Sequence, residues 1–108
     1  MKKLIKFKQE FLEKILDGSK TQTMRLPVSR VDVAEEDIVI ALFPNGEEVP
    51  LRITKVGYKS FKSINDEDAE REGFSNAEEL KKCLKDIYQE YRIEDFMRFY
   101  YYRFEVIK

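Results

Sequence analysis

The apolar residues of this chain change their spacing several times, from every second position to every third or fourth and back, so helices and strands must be interleaved along it. Residues 3–8 alternate around Leu4, Ile5 and Phe7 and predict a first strand. Phe11, Leu12, Ile15 and Leu16 then recur at i, i+1, i+4, i+5, which gathers them on one helical face, and Gly18 supplies the stop. Residues 21–25 are strand-like, and Pro27 biases Leu26 toward extended backbone, so this segment should leave a sheet edge and run into irregular chain over 26–36. A strand is expected over 37–43, followed by a tight hairpin turn that Asn45-Gly46 suits because both residues tolerate positive φ. In the returning strand Val49, Leu51, Ile53 and Lys55 should face the core, with Pro50 confining its start to an edge or bulge and Gly57 marking a bend.

The period then turns helical. Asn65 can cap a short helix whose first turn, Asp66-Glu67-Asp68, complements the positive dipole end, and Gly73 can end it. Ser75 and Glu78 predict a capping box for a second helix, whose stripe is Leu80, Cys83, Leu84, Ile87, Tyr88 and Tyr91. Residues 98–107 return to alternation, with Tyr100, Tyr102, Phe104 and Val106 on one face, and predict a central or closing strand. Strand, helix, several strands, two helices and a strand, with no repeat or linker, predict an α+β fold. Four or five short strands leave edges that a small protein must hide, which favours closure into a barrel with the helices outside.

At 108 residues, one domain over 1–108 is expected. The chain has no histidine and one cysteine, Cys83, so a structural zinc or an internal disulfide is not expected, and a reducing cytoplasmic compartment fits. Cys83, on the apolar stripe, reads as inert core. A net charge of -1 argues against the broad phosphate neutralisation of a strongly basic nucleic-acid binder. Lys2, Lys3, Lys6 and Lys8 read as solubilising charge more simply than as phosphate contacts. No apolar run reaches the roughly 20 residues of a membrane span, and no export signal is apparent, so a soluble, unexported monomer is expected.

Chemistry concentrates in Gly18-Ser19-Lys20-Thr21-Gln22-Thr23-Met24-Arg25, which sets an amine, three hydroxyls and a guanidinium behind a helix-stopping glycine. A hydroxyl attacks an amide carbonyl only if a base takes its proton, and without histidine the base available in this run is the Lys20 amine. Lysine must then be uncharged, which burial and a neighbouring cation such as Arg25 would favour. On a regular strand Lys20 and Thr23 have opposite parity, so Lys20 must lie in the turn. A carboxylic acid must protonate the departing amine, and the residues alone do not single one out.

The pattern Phe7-x-x-x-Phe11, Ile15-Leu16-x-Gly18-x-Lys20-Thr21-x-Thr23-x-Arg25 resembles the opening motif of the ASCH domain, a PUA-like β-barrel. Downstream, Ala69-Glu70-x-Glu72, Glu79-Leu80-Lys81-Lys82, Asp86-Ile87-Tyr88 and the aromatic closing strand are similar to the bacterial N4-acetylcytidine amidohydrolases of that superfamily. The resemblance implies a barrel of about five to six strands with two to three flanking helices. It implies that Lys20 is base, Thr23 nucleophile and Glu72 proton donor in hydrolysing N4-acetylcytidine to cytidine and acetate. Arg25 matches the motif arginine, which would help hold the site or stabilise developing negative charge on the carbonyl oxygen, and the resemblance implies no metal or organic cofactor; substrate contacts are expected from Arg25, Thr21 and Tyr101. Glu36-Asp37 stands where many relatives have Gly-Asp, which predicts a different turn, and Leu26-Pro27-Val28-Ser29-Arg30 departs from the acylcytidine enzymes. The alternative is a non-catalytic RNA-binding module, for which the tyrosines at 100–102 would offer stacking rings; alternation favours core for Tyr100 and Tyr102 and leaves Tyr101 open.

Overall fold

Alternating segments 22–25, 38–42, 48–60 and 98–106 pair with residues 3–6 into one curled sheet, seen in a computed structural model that describes residues 3–108. Lys2 lies outside the described residues. The strands are β1 (Lys3–Lys6), β2 (Gln22–Arg25), β3 (Ile38–Leu42), β4 (Glu48–Ser60) and β5 (Arg98–Val106), in the spatial order β1-β3-β4-β5-β2. The β1–β3 pair is parallel and the others antiparallel. The helices are α1 (Leu12–Leu16), α2 (Asp66–Glu72) and α3 (Ala77–Ile87). The result is the expected α+β architecture, a five-stranded half-barrel flanked by three helices.

Strand β5 organises two apolar clusters because its side chains alternate between faces. Phe104 packs with Ile5, Phe7, Val39, Phe43, Leu51 and Ile53 on one side. Phe99 packs with Met24, Leu26, Phe61, Leu80 and Leu84 on the other. Along α3, Leu80 and Leu84 are buried, as is Tyr88 just beyond it, whereas Ile87 and Tyr91 are largely exposed. The helix ends at Ile87, so its period no longer governs Tyr91. Of the α1 face, Phe11, Leu12 and Ile15 are buried but Leu16 is exposed.

Several local expectations are corrected by the sheet. A register shift between Ile53 and Lys55 inserts a residue, reverses the parity of β4, turns Lys55 to solvent and brings Val56 against the core. Pro50 lies in a central strand, not at an edge. Its carbonyl accepts from Ile107 N–H at 3.0 Å, so its missing donor faces the side where β5 is ending. In the 43–47 turn only Gly46 takes positive φ, at 90°, with Gly46 N–H donating to Phe43 O at 2.9 Å. Glu36 itself adopts φ 76°, so the left-handed position is kept without glycine; its N–H donates to Ile53 O at 2.7 Å, which holds it there. The cap of α3 is Asn76, one residue beyond Ser75, and its side chain accepts from Glu79 N–H at 3.0 Å. Asn65 and Asp68 do form a capping box on α2, and Gly73 ends that helix at φ 86°.

Gly57 lies within the continuous pairing of β4 with β5. It makes room for its register partner Tyr101, whose ring occupies the space a Cβ would need. Gly57→Ala should therefore cost about 1–3 kcal/mol through overpacking. In Gly57→Ala/Tyr101→Ala the two losses should sum to less than additivity. Strict additivity in denaturant melts would refute the contact.

Candidate functional site

Lys20 is fixed in the turn before β2 by its backbone neighbours. Its N–H donates to Lys14 O at 2.9 Å, and Thr21 N–H donates to Arg71 O, so the turn is tied to both α1 and α2. Lys14 Nζ donates to Gly73 O at 3.0 Å, closing the other side. The missing side chain of Gly73 allows this crowding, since a Cβ there would meet the Lys14 side chain at 3.1 Å. The Lys20 side chain is thereby directed inward, where it is 3% exposed.

Its ammonium group meets Glu72, the last residue of α2. Nζ lies 3.0 Å from Oε1 and 4.6 Å from the centre of the Phe11 ring. Glu72 is as deeply buried as its partner, and its Oε2 has no hydrogen-bond partner among the described residues. Burial pushes the Glu72 carboxyl above its ordinary range, against the pull of Lys20. The expected influence of Arg25 on Lys20 is corrected here, because the direct neighbour of the amine is a carboxylate.

One turn earlier on the same helix, Asp68 is treated oppositely. Burial would raise it as well, but Lys59 Nζ at 2.7 Å, Asn65 N–H at 3.1 Å and Gln22 Nε2 at 3.3 Å outweigh that and hold it below its usual range. Arg103 Nε donates to Gln22 Oε1 at 3.0 Å, so Gln22 is locked from both ends. This Arg103–Gln22–Asp68–Lys59 chain escaped the sequence reading, which assigned Asp68 only to the helix dipole. Its signal was the four-residue spacing of Asp68 and Glu72, which stacks both carboxyls on one helix face.

Thr23 and Arg25 project from alternate positions of β2. Arg25 Nε approaches Thr23 Oγ1 at 3.4 Å, while Nη2 donates to Lys6 O at 2.6 Å and the guanidinium stands 5.4 Å from the Phe7 ring centre. Thr23 is buried, and no hydrogen bond joins it to Lys20 among the described residues. Lys20, Thr23, Arg25 and Glu72 all line one cavity of about 220 Å³, walled by Phe7, Phe11 and the α3 residues Leu80, Cys83 and Leu84. Burial raises the Cys83 thiol, which keeps it protonated beside that wall.

Two of the expected site residues are not brought there. Thr21 does not line this cavity; its backbone clamps Arg71 O and the Phe104 N–H. Tyr101 has the parity of Phe99 and packs with the second cluster against Gly57, on the opposite face from Thr23. Tyr102, the register partner of Thr23, is instead the buried one, and its hydroxyl accepts from Val31 N–H at 3.0 Å. Among the described residues no group of three or more His, Cys, Asp or Glu side chains is arranged to hold a metal ion. No helix among them is long and apolar enough to cross a membrane.

A curled α+β half-barrel with a buried lysine–glutamate pair at the floor of a small cavity is the class of protein that this fold and site define. The chain belongs to the ASCH domain family, whose sequence profile matches residues 2–108. Its fold is similar to the crystal structure of an ASCH domain from Lactobacillus crispatus JV V101, with a TM-score of 0.75 and 14% identity over 87% of this chain and 68% of that one. It is also similar to an Enterococcus faecalis V583 protein, with a TM-score of 0.70 and 18% identity over 88% and 65% of the two chains. The hypothetical protein PH0355 has a TM-score of 0.70 and 24% identity over 99% of this chain and 100% of its own. No curated protein matches the sequence.

Proposed function

We propose that the cavity hydrolyses the amide of an acylated cytidine, with N4-acetylcytidine giving cytidine and acetate. The observation that carries this reading is the buried Lys20–Glu72 pair, with its unpartnered Glu72 Oε2, in the cavity that Thr23 and Arg25 also line. An ion pair taken out of water loses much of its preference for the charged form. When the shared proton rests on Glu72, the pair presents a free amine and a carboxylic acid, which are the base and acid the reaction needs. The opposite treatment of Asp68 and Glu72 supports the same division, since it singles out Glu72 as the carboxyl that keeps its proton to higher pH.

In the proposed reaction the Thr23 hydroxyl oxygen bonds to the acetyl carbonyl carbon and its proton passes to the Lys20 amine. Arg25, beside Thr23 Oγ1, stabilises the negative charge that develops on the carbonyl oxygen. The C–N bond breaks as Glu72 gives its proton to the departing cytidine N4. Water then attacks the acetyl-threonine ester, releasing acetate and restoring the hydroxyl. The aromatic walls, Phe7 and Phe11, offer apolar surface for the base.

The test is a mass-spectrometric screen of N4-acylated cytidines against the purified chain. Acetate and cytidine should appear in equal amounts from N4-acetylcytidine. No cleavage of any acylcytidine by the folded protein would sink the proposal.

A further inference from the structure

Two hydroxyls that the proposed reaction does not use meet at the cavity, just beyond the end of β2. Ser29 and Tyr88 both line it, beside the apolar side chains of Leu84 and Ile87. Tyr88 follows α3 directly, and its buried ring packs edge to face on Phe99 with centroids 6.0 Å apart. Its hydroxyl accepts from Leu26 N–H at 3.2 Å and is hydrogen-bonded to Ser29 Oγ. Leu26 lies three residues past Thr23, about 10 Å along extended chain. Packing and backbone therefore hold the phenol at a set place relative to the proposed nucleophile.

Two arrangements of protons satisfy this cluster. In the first, Tyr88 donates to Ser29 Oγ and Ser29 donates to Leu26 O, a long contact of 3.4 Å, so both hydroxyl protons are used internally. In the second, Ser29 donates to Tyr88, whose oxygen then accepts twice and whose own O–H is free to donate to a ligand. The exchange costs little. Leu26 O still accepts from Ser29 N–H at 2.9 Å after losing the hydroxyl, and only protons turn.

We propose that Tyr88 is a specificity-determining residue of this cavity, its hydroxyl donating to the pyrimidine 2-carbonyl oxygen of an acylated cytosine. The assignment deepens the hydrolytic reading and rests on it for the identity of the ligand. In an acylcytosine the scissile amide is carried on C4 and the carbonyl oxygen on C2, two positions round the ring. The acyl group can then meet Thr23 while the 2-carbonyl is carried toward the phenol. That oxygen only accepts hydrogen bonds, and the second proton arrangement supplies a donor. A site built to bond a polar substrate atom rejects an analogue without it more strongly than an apolar wall does.

The experiment compares N4-acetylcytosine with 4-acetamidopyrimidine, which keeps the scissile amide and lacks the 2-carbonyl. The quantity read is the ratio of their kcat/KM values in the parent against that in Tyr88→Phe, so the intrinsic reactivity of each amide cancels. The ratio should fall about tenfold or more in the variant, chiefly through KM for N4-acetylcytosine. Thermal melts establish that Tyr88→Phe is folded. Cytosine and 4-aminopyrimidine, titrated into the parent at pH 8 and followed by NMR, test the same contact without turnover and without a variant. Cytosine should bind at least about tenfold more tightly. That preference with no acetate released from N4-acetylcytosine would sink the hydrolytic reading and leave the contact standing. An unchanged ratio in folded Tyr88→Phe, equal binding of the two amines, or no binding of cytosine would each overturn the role of Tyr88.

Discussion

Thr23→Ala should lower acetate release from N4-acetylcytidine by roughly three orders of magnitude or more, because removal of a covalent nucleophile leaves only binding and electrostatic contributions to the rate. The loss should appear in kcat with little change in stability. The hydroxyl that is removed makes one long contact, to Arg25 Nε at 3.4 Å, so the thermal midpoint should move by only a few degrees. Thr23→Ser keeps an oxygen at the same position and should retain measurable turnover. Intact-protein mass spectrometry of the parent, quenched during turnover, should find a fraction heavier by one acetyl group, and Thr23→Ala should never acquire it. Undiminished turnover in Thr23→Ala would remove the nucleophile from Thr23 and with it the acyl-enzyme route.

Lys20→Met should destabilise the protein by about 3–5 kcal/mol at neutral pH, since it strands the Glu72 carboxylate in an apolar pocket. The sign of the pH dependence follows from the raised carboxyl of Glu72. An acid whose folded-state pKa lies above its unfolded one is tolerated while protonated and becomes costly as pH rises through the folded value. In the variant the stability deficit should be largest near pH 8 and should shrink toward pH 4, where Glu72 holds its proton. Lys20→Met/Glu72→Leu should recover most of the loss, because neither member of the buried pair is left without its partner. Chemical denaturation at the two pH values tests this, and a deficit that is the same at both would mean that Lys20 acts through packing alone.

Much of the scaffold was legible because it depends on neighbours within about four residues. The stops at Gly18 and Gly73, the Asn65 cap and the buried stripe of Leu80 and Leu84 are local conformational preferences, and each appears where its spacing put it. Errors arose where a single step of register decides an orientation. The bulge after Ile53 sends Lys55 outward, and the cap moves from Ser75 to Asn76, because which residue takes the critical backbone angles is settled by the partner strand or helix end. Glu36 shows the same override. Its hydrogen bond to Ile53 O, far along the chain, holds a left-handed conformation that its own side chain disfavours.

The site divides along the same line. The amine, hydroxyl and guanidinium of residues 20–25 are close by covalent connection, and strand parity alone places Thr23 and Arg25 on one face. Distance, burial and partnership are another matter. Lys20 and Glu72 are 52 positions apart, and only the packing of α2 against the turn before β2 brings them to 3.0 Å and excludes water from both. The same packing decides that Asp68 is held ionised by three donors while Glu72 keeps one oxygen unpartnered. The chain by itself therefore specified which chemical groups were present and the local forms that carry them. Tertiary structure decided which groups meet and in what dielectric, because desolvation and hydrogen-bond partnership depend on atoms contributed by remote segments.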